Sequence, residues 1–252
     1  MSEPLFVAFS TQKGGAGKTT LTVLTASYLH YVKGYNVAVV DCDYPQYSIK
    51  DMRERDLKRI EKNEYCRSLA YEQFTRLQKR AYSIIGSKPE EAITEAQDAV
   101  RKDKTLDFVF FDLPGTIYNA AVIQTIATMD FIVCPVTADR VVMESSLRFS
   151  TLVNDHLMRT GKSNIKGLYM LWNKVDKRER TELYELFEKV SGELGIPILK
   201  TTIPDSKRFR REAMEEGEKR IFRSTLFPPD KQLMKGSNLE ELVAELLSLL
   251  KP

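Results

Sequence analysis

Short, nearly continuous apolar runs alternate along this chain with longer stretches whose apolar residues recur every three or four positions. Leu5-Phe6-Val7-Ala8-Phe9 has the length and continuity of a strand buried on both faces. After it, Leu21, Leu24, Tyr28, Tyr31 and Val32 fall at helical spacing up to Lys33, and Gly34 is placed to cap the helix. Val37-Ala38-Val39-Val40 repeats the strand signal and ends in Asp41-Cys42-Asp43. Further strands are predicted at Leu106 to Asp112, Phe131 to Val136, Ile165 to Trp172 and Ile196 to Lys200. Pro135 predicts that pairing stops within the second of these, because proline cannot donate to a ladder. Helices are predicted over Ile117 to Thr128, from a cap at Asp139 or Ser145 to about Thr160, and from about Arg178 to Leu194. Strands alternating with helices imply an α/β fold: a single doubly wound, mostly parallel sheet flanked by helices, with right-handed crossovers. No repeat of 20 to 50 residues interrupts this order.

The stretch from about 46 to 104 breaks the alternation, being charged and mostly helical in pattern. Between Lys50 and Lys104 it holds 14 Lys/Arg against 11 Asp/Glu, a near balance that reads as solvated helix faces rather than a binding surface. Inside it Ala81 to Ile85 reads as a short strand. Ser87 is placed to cap a following helix, with Pro89 in its first turn.

With 252 residues the chain can bury a large core, and one domain spanning 1–252 is expected. A net charge of +3 is far from the strongly basic balance of a dedicated nucleic-acid module, so any such contact must come from a local patch. Cys42, Cys66 and Cys134 form no C-x-x-C pair, which argues against a zinc site or disulfide framework. The start of the chain shows no leader pattern and no apolar run approaches ~18 residues, so a cytoplasmic protein is expected.

The chemistry concentrates in Gln12-Lys13-Gly14-Gly15-Ala16-Gly17-Lys18-Thr19-Thr20, between the first strand and the first helix. Strand, glycine loop and helix in that order make a phosphate cradle, since the glycines let backbone N–H groups turn inward and the helix aims its positive end at the same anion. Asp41 and Asp43 at the end of one strand, and Asp112 at the end of another, stand at the edge where a doubly wound sheet binds its ligand. Asp112 closes an apolar run, as a magnesium-side acid does.

The loop departs from G-x-x-x-x-G-K-[ST], because Gln12 stands where its first glycine belongs. With Lys13 ahead of Gly14-Gly15 it instead resembles the deviant Walker A loop, K-G-G-x-G-K-T-T, of the ParA/MinD ATPases. That resemblance implies ATP and Mg²⁺ as cofactors, with Lys18 on the β and γ phosphates and Thr19 on the metal. It places Lys13 in the partner subunit's nucleotide within an ATP-bound homodimer. Asp41-Cys42-Asp43-Tyr44-Pro45-Gln46 is similar to the family's D-x-D-P-Q, with Tyr44 inserted. By it, Asp43 would position the attacking water and Asp41 would support the metal shell with Asp112. Asp112-Leu113-Pro114-Gly115-Thr116 resembles the family's D-x-P-x turn. Asn173 corresponds to an adenine contact, and Thr202-Ile203-Pro204-Asp205 to the loop on the base's other edge.

Two competitors share parts of this pattern. Asn173-Lys174-Val175-Asp176 also resembles the guanine-reading N-K-x-D of GTPases, and Asp112 to Gly115 satisfies their D-x-x-G. An iron–sulfur reductase with the same loop needs cysteines on two later loops, and Cys134 lies inside a strand. The family further implies slow, partner-stimulated hydrolysis, a ParB-like adaptor, and segregation or transfer of a DNA element, with nucleoid association when ATP is bound. Lys207-Arg208-Phe209-Arg210-Arg211 supplies candidate contacts to DNA phosphates in Lys207, Arg208, Arg210 and Arg211. Their alternative is a solvated helix start paired with Glu212, Glu215 and Glu216. A MinD-like positioning switch would end in a basic amphipathic helix. The terminal helix here, capped by Ser237 or Asn238, carries glutamates on its polar side and predicts packing on the sheet without membrane contact. A nucleotide-gated scaffold, in which binding rather than turnover matters, is the non-enzymatic alternative.

Overall fold

The computed structural model describes residues 3–115, 119–176, 178, 181–211 and 220–250. Six strands form one all-parallel sheet in the order β3-β2-β4-β1-β5-β6. They are β1 (Leu5–Phe9), β2 (Val37–Asp41), β3 (Ser83–Gly86), β4 (Phe108–Asp112), β5 (Phe131–Val136) and β6 (Gly167–Trp172). The helices are α1 (Lys18–Tyr31), α2 (Ser48–Lys62), α3 (Glu64–Leu77), α4 (Ala92–Lys102), α5 (Ala120–Ala127), α6 (Arg140–Leu152), α7 (Thr181–Glu193), α8 (Lys231–Met234) and α9 (Leu239–Leu250).

The continuous apolar runs have a simple cause, since each central strand is buried on both faces. Val7, Phe9, Val39, Phe108 and Phe110 point into one core with α1 and α9. Their neighbours Ala8, Ala38, Val40, Val109 and Phe111 point into a second core with Ala92, Val122, Phe149 and Phe187. On α9, Leu239, Leu242, Val243, Leu246 and Leu250 are all buried. At roughly 1.5–3 kcal/mol per buried side chain, this commits its apolar face to the core, as its polar face of glutamates predicts.

Several boundaries differ from expectation. Pairing does not end at Pro135, because Pro135 and Val136 still pair with Leu171 and Trp172 of β6. What ends there is pairing with β1, whose last bond runs from the Ser10 N–H to the Val133 carbonyl. Residues two apart present their backbone to the same side, so Pro135 lacks its N–H where no neighbour would accept it. Ser87 does not cap a helix: its hydroxyl donates to the Lys88 carbonyl, and α4 begins only at Ala92 after a turn through Pro89. Ile196 to Lys200 is not a strand but a single bridge at Ile198 to Met170. Asp139, rather than Ser145, caps α6 by accepting the Val142 N–H. That helix gives way at Val153–Met158 to a π-helical turn. The terminal helix is capped by Ser237, whose hydroxyl oxygen accepts the Leu239 N–H. Thr116, the predicted helix start at Ile117, the stretch just after Arg178, and Glu212, Glu215 and Glu216 lie outside the described residues.

Candidate functional site

Because β1 lies in the middle of the sheet, the loop that follows it opens at the C-terminal edge, flanked by the ends of β4 and β5. Gly17 sits at φ +94°, in the left-handed region, and leads directly into α1. A Cβ there would also lie 2.4 Å from Asn173 Nδ2, so both backbone and space require glycine. Together with Lys18, Thr19 and Thr20 the loop lines a cavity of about 390 Å³, which Asn173, Pro204 and Asp205 close from the far side and Asp43 from another. Every predicted nucleotide contact except Lys13 and Ala16 therefore faces this one cavity. Ala16 is buried in the loop itself.

Asn173 does more than line a wall. Its Nδ2 donates to the Ala16 carbonyl at 2.7 Å, and the adjacent Lys174 Nζ donates to the Gly15 carbonyl at 2.6 Å. The residues after β6 thus tie down two carbonyls of the loop. Lys18 Nζ reaches back to the Lys13 carbonyl at 3.3 Å. Gly115 passes so close that a Cβ would lie 3.1 Å from that ammonium, which brings the turn after β4 onto the mouth of the loop. Burial lowers the Lys18 pKa, while Asp112 and Asp43 pull it back up.

The two strand-end acids Asp41 and Asp112 are register partners on adjacent strands, yet their surroundings differ. Asp41 Oδ2 accepts the N–H groups of Ile49 (2.9 Å) and Lys50 (3.0 Å), and Oδ1 accepts that of Asp43 at 3.3 Å. It therefore caps α2 from the strand before it, in place of Tyr47, whose side chain makes no cap bond. Burial raises its pKa and these three donors oppose the rise. Asp112 is equally buried, but neither carboxylate oxygen has a hydrogen-bond partner among the described residues. Burial pushes its pKa up to about 7, against the pull of the Thr19 hydroxyl and Lys18 nearby.

An unpartnered buried carboxylate beside a hydroxyl at a phosphate cradle fits a hard divalent cation. Among the described residues no cluster of three His, Cys, Asp or Glu could hold a metal by itself. A cation here would complete its shell with phosphate oxygens and water, which is how Mg²⁺ binds in such sites. Asp112 and Thr19 are the residues that could hold it, whereas Asp41 is engaged by the start of α2.

Lys13 stands apart. It is exposed and lines a separate depression of about 420 Å³ with Val141, Glu144 and Arg148 of α6. Asp176, the base-reading acid of the N-K-x-D alternative, is bound by Arg178 through both carboxylate oxygens, which lowers its pKa to about 2. It does not line the cavity. In the basic run, Arg208 donates to the Leu233 and Lys235 carbonyls and holds the region of α8, whereas Lys207, Arg210 and Arg211 are exposed. Arg210 also lines the cavity.

Sequence reasoning missed Lys174 as a clamp on the loop, the close approach of Gly115, and Arg223. Arg223 Nη1 donates to the Thr20 hydroxyl at 2.7 Å from 203 positions away. Lys174 and Gly115 stood in motifs that had been noticed for other reasons. For Arg223, an arginine in an irregular stretch, no local signal exists.

Residues 7–219 match the family model described as the CobQ/CobB/MinD/ParA nucleotide binding domain. No curated protein matches the chain in sequence. Among solved structures, the cell division ATPase MinD of Pyrococcus furiosus is similar at TM-score 0.62 and 19% identity, over 98% of this chain and 100% of that one. A Borrelia burgdorferi B31 protein assigned to plasmid partition, bound to AMPPNP, gives TM-score 0.62 and 15% identity over 98% and 100%. The pNOB8 ParA bound to nonspecific DNA gives 0.60 and 16% over 98% and 99%. At these identities the structural likeness establishes the fold.

Proposed function

Because the chain belongs to the CobQ/CobB/MinD/ParA family of nucleotide-binding domains, we propose that it is a ParA-type ATPase: one domain that dimerises on ATP and serves the segregation or transfer of a DNA element. The observation that carries this reading is the cavity at the β1–α1 loop. It joins a phosphate cradle, a buried and unpartnered Asp112 beside Thr19, and a base-side wall of Asn173, Pro204 and Asp205.

In this reading Lys18 holds the β and γ phosphates and neutralises charge that develops on them in the transition state. Thr19 and Asp112 would hold Mg²⁺, which when bound would supply further charge neutralisation to the phosphates. Asp43 orients the attacking water. Asp41 acts at one remove, fixing the start of α2 and the turn that presents Asp43. Lys13 reaches the nucleotide of a second copy across the depression beside α6. Adenine is favoured over guanine because Asp176 is engaged by Arg178 and does not line the cavity.

The cargo side rests on the basic run. Lys207, Arg210 and Arg211 would contact DNA phosphates without reading sequence, as the pNOB8 ParA structure holds nonspecific DNA. Arg208 is committed to the α8 region and would contribute through position. The proposed setting is the cytoplasm, nucleoid-associated when ATP is bound, with a ParB-like adaptor stimulating slow hydrolysis. Among the described residues no helix is long and apolar enough to cross a membrane, and α9 spends its apolar face on the core.

The test is DNA binding across a salt series with ATP, ADP or no nucleotide, alongside phosphate release with and without DNA. ATP-gated binding that weakens steeply with salt supports the proposal. Binding that ignores the nucleotide, or no phosphate release under any condition, contradicts it.

A further inference from the structure

Residues 221–227 form a strap against α1, α2 and α3. At one end it touches both walls of the nucleotide cavity. Arg223 lines that cavity and donates to the Thr20 hydroxyl in the first turn of α1. Its backbone N–H donates to the Arg211 carbonyl at 3.0 Å, and Phe222 meets the Phe209 ring edge-on at 5.2 Å, beside the base wall.

The following residues face away from the cavity. The Ser224 hydroxyl, the Thr225 N–H and the Thr225 hydroxyl all donate to Asp56 Oδ2 of α2, at 2.8 to 2.9 Å. Arg53 of α2 donates to the Thr225 hydroxyl and carbonyl, and Gln73 of α3 to the Leu226 carbonyl. The Ser27 and Tyr31 hydroxyls of α1 donate to the Ser224 and Thr225 carbonyls. One short segment therefore joins the phosphate end of α1 to the two helices that depart most from the regular strand–helix alternation.

The charge of Arg223 is what makes this more than packing. A helix N-terminus carries partial positive charge and the guanidinium beside it a full one, and both attract phosphate. A phosphate chain in the cradle would lie against both, since Arg223 lines the cavity and is bonded to the first turn of the helix. We propose that Arg223 is a positioning residue that contacts the bound phosphate chain. Through Ser224 and Thr225 it ties occupancy of the cradle to the packing of α2 and α3, making residues 48–77 a nucleotide-responsive surface. This rests on the nucleotide-binding reading above.

The experiment uses the full chain, a fluorescent ATP analogue titrated at equilibrium, and hydrogen exchange at saturating ATP. In the wild type, ATP is expected to slow exchange both in the loop, 14–20, and across 48–77. Arg223→Ala is expected to bind about tenfold more weakly, ~1.4 kcal/mol. At saturation it should still protect 14–20 while 48–77 no longer responds. Arg223→Lys, which keeps the charge, should recover part of the affinity. Arg223→Gln takes the place of the alanine variant if that one does not fold. An alanine variant equal to wild type in affinity and in the response of 48–77 overturns the proposal. So does faster exchange at 48–77 already without ATP, since that marks the arginine as structural only. Wild-type protection at 14–20 without any at 48–77 sinks this inference alone. No protection at 14–20 removes the nucleotide reading and this one with it.

Discussion

Asp112→Asn should stabilise the protein free of metal and nucleotide at pH 8, while removing its response to Mg²⁺. The Asp112 carboxyl titrates near pH 7 in the fold, against an ordinary value of 3.8. A carboxyl whose pKa is raised on folding contributes stability that is present below its unfolded pKa and lost as pH rises through the folded one. With these two values the loss between pH 5 and pH 8 comes to about 2.5 kcal/mol. Asparagine has the same shape and no charge to desolvate, so the variant should not pay this cost. Comparing variant with wild type at each pH cancels the titrating groups that do not interact with Asp112, leaving its own titration and that of the neighbours it acts on, Lys18 among them. For a chain of this size the difference corresponds to a gap in Tm that widens by roughly 5–10 °C from pH 5 to pH 8. Thermal unfolding in chelator, read across pH 5 to 8.5, measures it. Adding Mg²⁺ with ATP should then raise the wild-type Tm at pH 8 and leave the variant close to its own baseline. A gap that stays constant with pH, or a variant less stable than wild type at pH 8, would mean that Asp112 is not held as an unpartnered buried carboxylate.

Three further outcomes test the remaining roles. Lys18→Ala should lose nucleotide binding by at least a hundredfold in an equilibrium titration, and retained tight ATP binding would refute its place on the phosphates. Lys13→Ala should bind ATP within about threefold of wild type yet stay monomeric with ATP by light scattering, so an ATP-dependent dimer that survives the substitution contradicts a reach across subunits. Asp43→Ala should bind ATP and reduce phosphate release by at least tenfold, in line with loss of a group that positions the nucleophile; undiminished release takes Asp43 out of the chemistry.

The fold was readable because buried parallel strands leave unbroken apolar runs, as Val37 to Val40 and Phe108 to Phe111 do, and because the glycine loop sits at a fixed place between strand and helix. Misreadings arose where one local signal had two physical explanations. Pro135 marks the loss of one neighbour, and a ladder to β6 continues on its other side. Ile196 to Lys200 has a strand's composition, but only Ile198 bridges to the chain beside it. Ser87 carries the right hydroxyl for a cap, yet its hydrogen bond goes to a carbonyl rather than to helix N–H groups.

The site was legible wherever its residues act near their neighbours in sequence, and opaque wherever the sheet brings distant segments together. Asp41 and Asp112 mark that boundary. Each is an acid closing an apolar strand, and in the sheet they are register partners. What separates them is the chain that follows. After Asp41 the backbone turns through Tyr47 into α2 and offers two of its N–H groups to the carboxylate, with a third from Asp43. After Asp112 the chain passes over the phosphate loop at Gly115, and among the described residues no backbone N–H is offered to the acid, which has only the Thr19 hydroxyl and the Lys18 ammonium nearby. The same residue type at the same sheet edge is thus a helix cap in one strand and, among the described residues, a buried carboxyl without a hydrogen-bond partner in the other. The choice is made by whether a helix N-terminus arrives to satisfy it, which the strand pattern alone does not encode.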